Sequence, residues 1–237
     1  MGLAAKVFRL EERISIEVAA EKLRGWRAQR VESRGGEEYA LLDEVSSLSV
    51  EDGLLRGEFL EDRLVTLPSR EGPRPAVATL RTPFALLEAE EETILVVMAK
   101  KLRANRVASK LGEILLARPG GVFEAMIDPD QLRALHEANP ESTRVIYFDQ
   151  VDLPNVNVMA LYGSALADTS TYQEYLRHGQ VWYVVFHDAQ YGLTVGVARN
   201  CVVTSFTRVD EEKFFRYVIE RIVPLASESG RRLRRAR

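Results

Sequence analysis

The sequence lacks most of the features that indicate a specific chemistry. Its only cysteine, Cys201, cannot form an internal disulfide. No apolar run approaches the about 20 residues that a membrane helix needs, and nothing resembles a signal peptide. The three histidines, His136, His178 and His187, do not have the spacing of a zinc motif such as H-E-x-x-H. We therefore expect a cytoplasmic protein with no membrane contact and no cofactor.

Glycine-rich phosphate loops are also missing. The Arg-Gly-Gly stretch at 34–36 and the Pro-Gly-Gly stretch at 119–121 match neither the P-loop nor the dinucleotide-binding pattern, so both are predicted to be turns. His187 and Asp188 are neighbours in a predicted strand and would point to opposite faces, which makes them a poor acid–base pair. These absences favour a protein that is not an enzyme.

One enzymatic alternative remains open. Asp149 and Asp152, together with Asp128 and Asp130, are acidic side chains that a divalent metal could use in phosphodiester cleavage. Asp128 has a sufficient other role, because it precedes Pro129 at the predicted start of a helix and fits an N-cap. A metal-dependent nuclease using the Asp149/Asp152 region is therefore kept as an alternative function.

Positive charge is present, but it is confined to two stretches of an otherwise acidic chain. The formal net charge is −3 over 237 residues. Residues 99–118 carry a net +5 and the last 12 residues a net +4, whereas 1–98 and 119–225 each carry −6. Such segregation concerns partners rather than fold. Arginine outnumbers lysine 26 to 6, which is typical of a thermophile or of a GC-rich genome.

The basic stretch at 99–118 is also the clearest helix in the sequence. Its apolar residues recur at three- and four-residue spacing and predict one buried face: Ala104, Val107, Ala108, Leu111, Ile114 and Leu115. The cations that we predict to contact phosphates are Lys100, Lys101, Arg103, Arg106 and Lys110. The alternative is a solvent-facing helix whose cations pair with the acidic surface of the same protein.

A second basic helix is predicted near 16–30. Arg24, Arg27 and Arg30 are three residues apart and surround Trp26, and arginine beside an exposed aromatic ring is a common way to hold a single strand. Alternatively, Trp26 completes an apolar face begun by Leu23. Residues 227–237 form a basic tail that is predicted to be disordered, and its arginines are candidate contacts as well: Arg231, Arg232, Arg234 and Arg235.

The order of predicted elements indicates an α+β protein. Residues 39–98 read as short antiparallel strands separated by turn signals, including Glu61-Asp62. Residues 1–118 and 119–226 each run strand, helix, several strands and a long helix. This β-α-β4-α plan resembles TATA-binding-protein-like and helix-grip folds, so we predict two duplicated halves. The alternative is a single α+β domain with one continuous sheet.

Together these observations favour a non-enzymatic protein that associates with nucleic acid through basic helices and an arginine-rich tail. The first alternative is a protein-interaction or regulatory module whose acidic surface binds a protein partner or a second copy. The nuclease and a small ligand held between sheet and helix are the remaining alternatives.

Overall fold

The computed structural model describes residues 2–70, 72–89, 92–138 and 143–227. The chain divides into two compact units. Unit A comprises residues 10–97 and 105–122, and unit B comprises residues 2–9, 98–104 and 123–227. The tail arginines Arg231, Arg232, Arg234 and Arg235 lie outside the described residues.

The elements follow one another in this order: β1 (Ala4–Leu10), α1 (Ile16–Leu23), β2 (Arg27–Arg34), β3 (Glu37–Glu51), β4 (Leu54–Leu67), β5 (Arg74–Ala89), β6 (Glu92–Val97), α2 (Lys101–Leu116), β7 (Val122–Glu124), α3 (Pro129–Glu137), β8 (Thr143–Asp149), β9 (Met159–Tyr162), α4 (Ser170–His178), β10 (Gln180–Asp188), β11 (Leu193–Ala198), β12 (Val202–Ser205) and α5 (Glu211–Tyr217). A 3₁₀ turn precedes α4, and a π-helical turn, Val218–Ile222, follows α5.

Unit A is built on an antiparallel sheet with the strand order β2-β3-β4-β5-β6. Burial alternates along β4, where Leu55, Phe59 and Glu61 point to a covered face. Helix α1 packs against β3, β4 and β5. The apolar side chains on this face form the core of unit A.

The helix predicted over 16–30 ends at Leu23, seven residues early. Gly25 has φ +67°, a left-handed conformation that stops the helix. The carbonyl of Trp26 then accepts a hydrogen bond from the amide of Val45, and β2 continues to pair with β3. Arg27 and Arg30 therefore lie on a strand, and the helical spacing of the arginines was misleading.

The strands of unit A are longer than predicted. Glu61 and Asp62 were expected to form a turn, and this expectation is wrong, because β4 continues through them for 14 residues. Asp43 on β3 is the register partner of Glu61. Arginine side chains form ion pairs with these two carboxylates, as described below. Because their charge is neutralised, the acidic residues can lie inside the strands.

Unit B contains a sheet with the order β1-β12-β11-β10-β8-β9, and β7 pairs with β1. Helix α3 packs against β10. The predicted cap of α3 is confirmed, because the Asp128 carboxylate accepts a hydrogen bond from the amide of Asp130 at 2.9 Å. Asp210 caps α5 in the same way through the amide of Lys213.

The α+β class with antiparallel strand pairing is confirmed, but the repeated β-α-β4-α plan is not. In the described residues, five strands separate α1 from α2, whereas two strands separate α3 from α4 and three separate α4 from α5. The boundary at residue 118 stays a prediction. No helix in the described part of the chain is long and apolar enough to cross a membrane.

Candidate nucleic-acid interface

Two of the predicted cations, Arg30 and Arg106, pair with two carboxylates that lie opposite each other on neighbouring strands of unit A. Arg30 Nη1 lies 2.5 Å from Asp43 Oδ1, and Arg106 Nη1 lies 3.2 Å from Glu61 Oε1. A third arginine, Arg63, places its Nη2 3.0 Å from Glu61 Oε2. We call these five residues the arginine cluster. They come from β2, β3, β4 and α2, so the cluster exists only once the unit has folded.

Strand geometry explains why the carboxylates need arginine. Asp43 and Glu61 are directly opposite each other on β3 and β4, and like charges at such positions destabilise a sheet. Burial raises the pKa of Glu61, but the hydrogen bonds and charges of Arg63 and Arg106 outweigh it and hold the pKa below its usual value. The Glu61 carboxylate therefore stays ionised at neutral pH and holds the guanidinium groups of Arg63 and Arg106 in place.

The cluster presents positive charge to solvent. The side chains of Arg30, Arg63 and Arg106 are 41%, 34% and 54% exposed, whereas those of Asp43 and Glu61 are 10% and 9% exposed. Three guanidinium groups against two carboxylates leave a net charge of +1. Each guanidinium carries five N–H donors, so donors remain for an anion after the carboxylates are satisfied.

Trp26 lies on the same face of the sheet as the cluster. It is opposite Val45, whose register partner on β4 is Phe59, two residues before Glu61. The rings of Trp26 and Phe59 stack with centroids 6.0 Å apart at 29°. Trp26 is half-buried. It therefore contributes to the core, as in the alternative interpretation of an apolar face, and also keeps part of its ring accessible.

The other predicted cations have different surroundings. Arg27 Nε lies 3.0 Å from Glu44, on the strand face opposite Arg30. Arg24 is exposed at the end of α1. Lys110 is exposed one turn beyond Arg106 on α2, and it has no hydrogen bond or ion pair within the described residues.

The cations at the start of α2 belong to unit B. Lys100 and Lys101 are exposed and Arg103 is half-buried. The charge of Lys101 helps to lower the pKa of Glu124, behind the larger effects of burial, which raises it, and of Lys6, which lowers it. The structure therefore brings Arg30 and Arg106 together and leaves Lys100, Lys101 and Arg103 in a different unit.

The comparison with known proteins adds no family. No protein-family model matches the chain, and no curated protein matches it. The interpretation of the site therefore depends on its geometry.

The acidic residues of the nuclease alternative are engaged by partners in unit B. Arg199 forms a bidentate pair with Asp149, with N–O distances of 3.0 and 2.5 Å. His178 Nδ1 lies 2.8 Å from Asp152 Oδ1. Within the described ranges, no group of three or more His, Cys, Asp or Glu side chains could hold a metal ion.

Sequence reasoning missed three members of the arginine cluster: Asp43, Glu61 and Arg63. The alternation of Phe59, Glu61 and Arg63 along one strand face was the available signal, and the expected turn at Glu61 hid it. It also missed a row of aromatic rings in unit B, formed by Tyr147, Tyr162, Trp182 and Tyr183, with ring centroids 5.8–5.9 Å apart.

Proposed function

We propose that the protein binds nucleic acid without catalysing a reaction, through the arginine cluster, Lys110 and Trp26 of unit A. The observation that carries the proposal is the arrangement of three partly exposed guanidinium groups, held by two nearly buried carboxylates beside a half-buried tryptophan. Arginines held in this way lose little conformational entropy when they bind a phosphate.

Each part has a physical role in the proposed contact. The planar guanidinium groups of Arg30 and Arg106 can donate paired hydrogen bonds to phosphate oxygens. Lys110 adds a flexible positive charge on the same helix as Arg106. The accessible part of the Trp26 ring provides a surface for a base, which favours binding that tolerates different sequences. A net charge of only +1 at the cluster predicts weak binding that is sensitive to salt.

We expect the variant Arg106→Gln/Lys110→Gln to bind labelled single-stranded DNA or RNA about tenfold more weakly, a loss of about 1.4 kcal/mol. Both side chains are exposed, and Arg63 still pairs with Glu61 in the variant, so the fold should be retained. Fluorescence anisotropy at about 50 and about 200 mM salt should show the salt slope reduced by about 1 for each phosphate contact removed.

The matched control is Lys213→Gln/Arg216→Gln, which removes two exposed cations from helix α5 of unit B. It should bind like the wild type. Equal losses in both variants would show that only net charge matters, and wild-type protein that fails to bind at low salt would refute the proposed function.

A protein-interaction module is the second candidate, and the aromatic row of unit B favours it. Tyr162 is exposed, and the Nε1 atom of Trp182 is buried without a hydrogen-bond partner in the described residues. Tyrosine and tryptophan are enriched at the centres of protein interfaces. Wild-type protein that binds no oligonucleotide would favour this candidate.

A further inference from the structure

The sheet of unit A divides between β3 and β4. Within the described residues, the register between these two strands begins at Asp43↔Glu61 and does not extend toward the β2–β3 turn. Beyond that pair, β3 stays paired with β2 and β4 stays paired with β5. We call the two separated segments, residues 37–42 of β3 and 62–67 of β4, the fork. The arginine cluster lies where the fork begins.

The backbone groups that face the fork alternate as they do in a sheet. Gly35 and Gly36, with φ of 65° and 86°, form the tight turn between β2 and β3, so the backbone of Glu37 bonds back to β2. Successive residues of an antiparallel strand point to opposite neighbours. On β4, the Asp62 carbonyl faces Arg30 of the β2–β3 hairpin. The residues that point into the fork are therefore Glu38, Ala40, Leu42, Asp62, Leu64 and Thr66.

Side chains occupy the two backbone groups that the next hydrogen bond of the ladder would join. In a continued ladder the Leu42 amide would donate to the Asp62 carbonyl. In the structure this amide donates to Asp62 Oδ2 at 3.0 Å, and the Asp62 carbonyl accepts a hydrogen bond from Arg30 Nη2. The Thr79 hydroxyl donates to Asp62 Oδ1 at 2.6 Å and fixes the carboxylate. Arg30 and the Asp62 side chain therefore hold the fork open.

The side chains of the fork are compatible with a closed sheet. Continuing the register beyond Asp43↔Glu61 moves one residue back along β3 and one forward along β4 at each step. This places Ala40 opposite Leu64 and Tyr39 opposite Val65. Apolar and aromatic pairs of this kind stabilise a sheet, and no two like charges become opposed anywhere in the fork.

We propose that Arg30 is the latch of a conformational switch, and that the fork closes when an anion draws the Arg30 guanidinium away from the Asp62 carbonyl. The Leu42 amide then bonds that carbonyl, and β3 pairs with β4 along the whole fork. The anion is a phosphate of the nucleic acid, so this coupling rests on the proposed function, whereas the closing itself does not. Binding and closing favour each other, because a coupling between two equilibria is reciprocal.

A disulfide across the fork reports its closure. The variant Tyr39→Cys/Val65→Cys places two thiols at facing positions whose Cα atoms lie about 4.5 Å apart in the closed fork, which a disulfide spans. Diamide oxidises the two thiols and is itself reduced to the hydrazine, and mass spectrometry identifies the linked peptides. The variant Tyr39→Cys/Leu64→Cys should not form the link, because its two side chains point to opposite faces. Cys201 should not react, because it is fully buried and burial raises the pKa of its thiol.

Removing the latch should close the fork without any nucleic acid. Arg30→Met, introduced together with the facing cysteine pair, should speed crosslinking about fivefold. Arg27→Met is the matched control, because Arg27 pairs with Glu44 on the opposite face of the strand, and it should leave the rate unchanged. Faster crosslinking in Arg30→Met alone supports the switch, and equal rates in the two variants overturn it.

A second variant tests the switch without separating Arg30 from Asp43. Asp62→Ala frees the Leu42 amide to bond the carbonyl of residue 62, so it should also speed crosslinking. Asp62→Asn is its control, because the amide oxygen of asparagine still accepts a hydrogen bond from Leu42, and the fork should stay open. If Asp62→Ala crosslinks no faster than Asp62→Asn, the Asp62 side chain does not hold the fork open and the proposal fails.

An oligonucleotide tests the coupling to binding. Single-stranded DNA or RNA should speed crosslinking of the facing cysteine pair about fivefold, and the crosslinked protein should bind the labelled strand about fivefold more tightly than the reduced protein. A strand that binds and leaves the crosslinking rate unchanged contradicts the coupling. If no strand binds, the coupling fails together with the proposed function, and the Arg30→Met result still decides whether the fork closes.

Discussion

Replacing Glu124 by alanine should lower the free energy of unfolding by about 3 kcal/mol, because it removes the carboxylate partner of a buried lysine. Lys6 lies on β1 with its side chain 0% exposed, and its Nζ forms an ion pair with Glu124, whose side chain is 40% exposed. Nζ also lies 5.1 Å from the centroid of the Phe8 ring. Without Glu124 the ammonium group stays buried and loses the negative charge of this carboxylate.

Replacing the lysine of the pair instead of the glutamate should lower the stability much less. Lys6→Met keeps the apolar volume and leaves Glu124, which water can reach and which also interacts with Lys101 and with Asn200. We expect a loss of under about 1.5 kcal/mol. Urea unfolding followed by circular dichroism compares the two variants at pH 7. Equal losses of stability in the two variants would show that Lys6 and Glu124 do not differ in their access to water.

The second large effect is a loss of stability in acid, caused by His136. The ring is fully buried on α3, and its Nδ1 lies 2.7 Å from the Thr143 hydroxyl. Its Nε2 has no hydrogen-bond partner within the described residues, and Tyr172 packs edge-on against the ring at 4.9 Å. Burial lowers the pKa of His136 from 6.5 to about 4, although the charge of Glu137 acts in the opposite direction.

The direction of the pH effect follows from this shift. Between pH 6.5 and 4 the unfolded chain takes up a proton at His136 and the folded chain does not, so acidification favours unfolding. This difference between the unfolded and folded pKa values corresponds to a destabilisation of about 3 kcal/mol, which is absent above pH 7 and complete below pH 4. Urea midpoints measured from pH 7 to pH 4 should therefore fall.

The variant His136→Asn keeps a group that can hydrogen-bond Thr143 and removes the titration. It should be less stable than the wild type at pH 7, and its urea midpoint should fall less steeply between pH 7 and pH 4. Gln173→Asn, at an exposed position of α4 with no ionisable group, is the control and should keep the wild-type dependence of the urea midpoint on pH. If the urea midpoint of His136→Asn fell with pH as steeply as that of the wild type, carboxylates alone would cause the acid sensitivity.

Local patterns in the sequence were enough to predict helix α2 and the cap of α3. Of the six apolar residues predicted to face the core along α2, five are buried and Ile114 is half-buried. The Asp128 cap depends on a hydrogen bond to the amide two residues away. Helical periodicity and capping involve neighbours in sequence, which is why the sequence by itself determined them.

The tertiary structure alone decided where the arginines lie. The spacing of Arg24, Arg27 and Arg30 fits a helix, but pairing with β3 makes the segment from Arg27 a strand. The partner of Arg30 is 13 residues away, and the partner of Arg106 is 45 residues away. Strand pairing and buried charge neutralisation depend on residues distant in sequence, so the arginine cluster becomes visible only when β2, β3, β4 and α2 are assembled.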